Sequence, residues 1–85
     1  MKPGMIVCSI SGRDKGCYMM ITKVNDKRVL VADGKKRRLD NPKPKNQKHL
    51  IATDTSLDIE IVSTNKLLTR ALKNYITQAD SREEQ

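Results

Sequence analysis

The run "MIVCSISGRDKGCYMMITKVNDKRVLVADG", residues 5–34, decides the fold. Three apolar segments are separated by two polar ones. "MIVCSI" (5–10) is apolar on both faces and carries β-branched residues. "CYMMITKV" (17–24) is a second apolar run, and "RVLVA" (28–32) alternates and is rich in Val. The first interruption, "SGRDKG" (11–16), has glycines near both ends, which suits a loop that needs positive φ. The second, "NDK" (25–27), is a turn. Short strands at this spacing predict a small closed or half-closed barrel.

Downstream, "DG" (33–34) is a type I′ hairpin dipeptide, so "KKRRL" (35–39) is expected as the return strand. "NPKPKNQ" (41–47) cannot be an interior strand, because neither Pro can donate to a ladder. "HLIAT" (49–53) is the expected closing strand. With no Phe or Trp and two Tyr in 85 residues, the core must come from Val, Ile, Leu, Met and Ala. So short a chain holds one domain and has little stability to spare.

The remainder changes character. Residues 54–62 are a connection, either irregular or a brief strand with Leu57, Ile59 and Ile61 on one face. A helix is expected over 63–80, capped by Ser63 or Thr64. Leu67, Leu68, Ala71, Leu72, Tyr75, Ile76 and Ala79 form its apolar stripe. That stripe can cover the barrel or dock on another protein; covering is favoured, since a small barrel without aromatics needs the buried area. The two-faced apolar character of residues 5–10 fits a strand with barrel interior on one side and helix on the other. The tail 81–85 is expected to fray. The barrel (1–53), connection and helix make one domain.

Charge is divided along the chain. Residues 1–49 carry thirteen Lys/Arg against four Asp, a net of +9, and residues 50–85 carry four against six acids, a net of −2. Seven basic residues fall within 35–48. Clustering of this kind points to a polyanionic partner. Catalysis has no support: there is one His, and no G-x-S-x-G, H-E-x-x-H or P-loop pattern. No cofactor, small-molecule substrate or metal is expected, since zinc wants four ligands and His49 alone joins Cys8 and Cys17. Those cysteines are expected to be reduced, buried, small apolar residues of strands. The N-terminus shows no signal-peptide core and no stretch is long enough to span a membrane, so a cytoplasmic, monomeric protein is expected.

The stretch "GMIVCSISGRDKGCYMMITKVNDKRVLVADG" resembles a KOW motif, with the strand led by Gly4, the loop "GRDKG" and its Gly16, an apolar strand, a turn and a Val-rich strand. With "VLVADGKKRRL" and the later "KHL" it is similar to the KOW proteins of the large ribosomal subunit in archaea and eukaryotes, and to small bacterial KOW-domain RNA-binding proteins. The motif covers residues 4 to about 31, and the wider likeness reaches His49 and Leu50. The resemblance implies an SH3-like β-barrel, here with a C-terminal α-helix packed on it, and RNA binding, usually to ribosomal RNA. No stacking platform accompanies it: only Tyr18 lies in the basic half, so shape and backbone recognition of a folded RNA is expected.

Phosphate contacts are expected from Arg13 and Lys15 in the first loop, from Lys35, Lys36, Arg37 and Arg38 after the DG turn, and from Lys43, Lys45 and Lys48 in what is expected to be a Pro-stiffened loop. His49 is a weaker candidate for the same surface. Asp14 is read as a turn-former bonding nearby backbone N–H groups. The competing expectation is a protein-interaction module contacting the transcription or translation machinery through its C-terminal helix.

Overall fold

The computed structural model describes residues 1–83, with side-chain surroundings through residue 78. Five strands form one antiparallel sheet: β1 (Met5–Ser9), β2 (Tyr18–Asn25), β3 (Arg28–Ala32), β4 (Lys43–Asn46) and β5 (Leu50–Ser56), in the order β4-β3-β2-β1-β5. A helix, α1 (Asn65–Glu83), follows. The mainly β architecture with a C-terminal helix is as expected; the sheet, however, does not close, and β4 and β5 are its two edges. A single 3-10 turn, Gln47–His49, joins the edges directly.

Strand alternation divides the apolar residues between two cores. Val7, Met19, Ile21, Val29 and Val31 point inside the curled sheet and pack with Leu50. Ile6, Met20 and Ala32 point the other way and pack with Val62, Leu68 and Leu72. This is why β1 is apolar on both faces. Leu68 is fully buried and Leu72 nearly so, while Leu67 and Ile76 at the stripe's margins are exposed. Ala79 and the tail's side chains lie outside the described residues. Of the two candidate caps, Thr64 is the one used: its Oγ1 accepts from Leu67 N–H at 3.2 Å. The helix backbone runs past the expected end at residue 80, to Glu83.

β5 takes in residues 54–56 of the expected connection, and the remainder, 57–62, is irregular rather than a brief strand. Leu57 packs on the helix-side core, whereas Ile59 and Ile61 are exposed and Val62 is buried. The cysteines depart from expectation in part. Both are free, but Cys8 is only half-buried and Cys17, just ahead of β2, is exposed.

The return strand expected at 35–39 does not form. Asp33 Oδ1 accepts from the N–H groups of both Lys35 (2.8 Å) and Arg37 (2.9 Å), and the N–H groups of Asp33 and Gly34 both donate to Arg37 O. The N–H groups of Lys35 and Arg37 and the carbonyl of Arg37 are thus engaged within the turn instead of in a ladder with β3. Asp33 does not adopt the positive φ that a type I′ turn requires. Instead β3 pairs with β4, ten residues farther on, in the register Val29↔Lys45, Leu30↔Pro44 and Val31↔Lys43. Pro44 is tolerated there because β4 is an edge. The helix clamps the turn from outside: Asn65 Oδ1 accepts from Leu39 N–H at 2.7 Å, and Thr69 Oγ1 donates to Asp33 O at 3.2 Å. Gly34, at φ +85°, sits directly against Asn65 O and Thr69 Oγ1, where a Cβ would collide.

Candidate nucleic-acid interface

The register of β4 decides where two of the expected contact residues go. Directly paired residues of an antiparallel ladder share a face. Lys43 and Lys45 are opposite Val31 and Val29, so their stems lie on the inner face of the curled sheet. There they meet the "GRDKG" loop. Asp14 is buried, and its Oδ2 stands 3.4 Å from Lys43 Nζ, 3.5 Å from Lys45 Nζ and 3.6 Å from Arg37 Nη2. Lys45 Nζ also donates to Ser9 Oγ at 2.7 Å, reaching across the curl from β4 to the end of β1. Ser9 is itself buried and its hydroxyl donates to Ser11 O. A polar cluster therefore fills one end of the inner core.

Asp14 is thus a counterion, not the local turn-former expected of it. Backbone bonds shape its loop: Lys15 N–H to Gly12 O, Cys17 N–H to Asp14 O, and Gly16 N–H to Ser9 O. Burial pushes the Asp14 carboxyl up, but the Lys43 hydrogen bond and the charges of Lys43, Lys45 and Arg37 outweigh it and hold it below its ordinary 3.8.

The expected contact residues divide into three groups. Arg13, Lys43, Lys45 and His49 line one shallow open groove of about 580 Å³, between the first loop and β4, together with Arg28 and Pro44. Arg37 does not line the groove and stands by itself, tied to Lys43 and Lys45 through Asp14. Lys15, Lys35, Lys36, Arg38 and Lys48 are exposed but do not line the groove. Lys48 borders a separate depression beside the β2–β3 turn, and Lys35 another beside the helix. Arg38 makes an exposed pair with Asp40 at 3.7 Å, a contact of little energetic weight. Within the groove the cations are unequal. Lys45 has a side chain only 10% exposed, against 37% for Lys43. Lys45 is committed to the interior, while Lys43 faces out.

Arg28 was missed by sequence reasoning. Its signal is the alternation of β3, which turns Val29 and Val31 inward and leaves Arg28 beside Asn46 at the groove's rim. That signal becomes readable only once the partner strand is known. Among the described residues, no three His, Cys, Asp or Glu are grouped to hold a metal ion. Among them, too, no helix is long and apolar enough to cross a membrane. No family model matches the chain, and no curated protein matches it significantly.

Proposed function

We propose that this chain is a small RNA-binding module of SH3-like, KOW type. In this reading it docks in the cytoplasm on structured RNA, ribosomal RNA of the large subunit above all, without catalysing a reaction. The observation that carries the reading is the convergence of Arg13, Arg28, Lys43 and His49 on one open groove, with Lys43 held by a buried carboxylate. A backbone-reading surface needs cations at fixed places on a stiff frame. The clamped turn at residues 33–37, the Pro-containing edge strand and the Asp14 cluster supply that stiffness. The five-stranded curled sheet supports SH3-like kinship, though it is open. The competing module, docking through α1, has less support, because the centre of the helix stripe is buried against the sheet.

The test is binding to a structured ribosomal RNA fragment across a salt series. The expected log–log slope has a magnitude of about 0.7–0.9 per phosphate neutralised, so about 2 to 3 for the groove cations Arg13, Arg28 and Lys43. A nearly flat response would sink the proposal. Co-sedimentation with the large ribosomal subunit at low salt, lost at high salt, checks the same reading in native extract.

A further inference from the structure

The Asp14 cluster, which meets the groove through Lys43 and Lys45, has more cation than it can neutralise. Arg37, Lys43 and Lys45 bring three positive charges to one carboxylate oxygen of Asp14, leaving a net of +2. None of the three contacts is short, and only that of Lys43 is also a hydrogen bond. Lys45 is satisfied elsewhere, by Ser9 Oγ. Arg37 is not: its Nε is buried without a hydrogen-bond partner. Lys43 has one anionic partner and outward exposure, so it keeps donors to spare.

We propose that Lys43 and Arg37 form a site for a single tetrahedral oxyanion, a phosphate group, which completes the cluster that Asp14 begins. Asp14 ties the two together from behind, and Arg13, Arg28 and Lys45 line the groove beside Lys43. An Arg fork and a Lys ammonium are the donors that phosphate oxygens call for. The phosphate can belong to an RNA backbone, which refines the RNA-binding reading, or be free inorganic phosphate, which does not depend on it.

Two measurements decide this, each with wild type, Lys43→Gln and Arg37→Gln. In the first, thermal unfolding is followed in inorganic phosphate against chloride at matched ionic strength. The wild type should gain about 5 °C or more at ten times the phosphate Kd. Both variants should keep only the general salting effect of phosphate. In the second, affinity for a structured RNA is read at fixed salt. Lys43→Gln should weaken it several-fold and lower the salt slope by about 0.7–0.9. Phosphate-specific stabilisation without RNA binding keeps the oxyanion site, assigns it to a free phosphate and removes the RNA reading. Loss of RNA affinity in both variants without a response to inorganic phosphate keeps the site and assigns it to the backbone. No phosphate-specific gain, together with variants that bind RNA as the wild type does or a wild type that binds none, overturns the proposal. Should Arg37→Gln fail to fold, Lys43→Gln carries the decision alone, since its side chain is the more exposed.

Discussion

Asp14 holds together three segments that lie far apart in the chain: the first loop, the turn after β3 and the edge strand β4. Its folded pKa lies below the unfolded one, so the ionised carboxylate stabilises the fold fully above about pH 4. That contribution is lost as pH falls through the lower folded value. Asp14→Asn should cost about 3 kcal/mol at neutral pH, because Lys45 is left nearly buried without its counterion. The gap between the two proteins should hold from pH 7 to about 5 and shrink below 3.8. Denaturant midpoints between pH 2 and 7 check this; a gap that stays constant down to pH 2 would show that Asp14 does not act through its charge. None of this is visible locally in "GRDKG". A short acidic side chain between two glycines is what a turn-former looks like, and the cations that claim it enter only through the register of a strand twenty-nine residues away.

At the scale of elements, local patterns that one strand or helix can satisfy alone were legible. β1, β2, β3 and the helix stripe follow from alternation and from helical spacing, and they lie where those patterns put them. The failures are elements whose partner decides. "KKRRL" follows a hairpin-like dipeptide, yet the Asp33 side chain claims two of its N–H groups and the helix a third, that of Leu39. "KPKN" carries a proline and still becomes a strand, since an edge position asks for fewer donors. The helix makes a sharp energetic prediction. Leu68→Ala should destabilise by about 2–5 kcal/mol, since Leu68 is fully buried among Ile6, Met20 and Leu72. The neighbouring Leu67→Ala, at 37% exposure, should cost less than about 1 kcal/mol. Equal shifts in urea midpoint for the two would mean that the helix does not lie on the sheet by this face.

For the whole molecule, composition led to the expectation of a polyanionic partner but not to the surface proposed to meet it. Ten candidate contacts were legible as charge, and four of them line the groove. The rest are spread by topology over other faces. The sheet stays open, and the cluster in which Asp14 meets Lys43 and Lys45 lies along its edge strand β4.

The direct link between the two edges has a dynamic consequence. β4 pairs only with β3 and β5 only with β1, and the turn at Gln47–His49 makes them one continuous segment, 43–56. This segment can peel from both sides of the sheet while β1, β2 and β3 keep their mutual ladders. Amide hydrogen exchange should therefore fall into two tiers. Met19, Met20, Ile21 and Val31 exchange slowest, at the rate of global unfolding. The amides of β4 and β5 exchange faster and together, through one shared opening. A single uniform rate across all five strands would rule that opening out. The same opening would part Lys43 and Lys45 from Asp14, so the lifetime of the assembled groove should match the opening rate of that one segment.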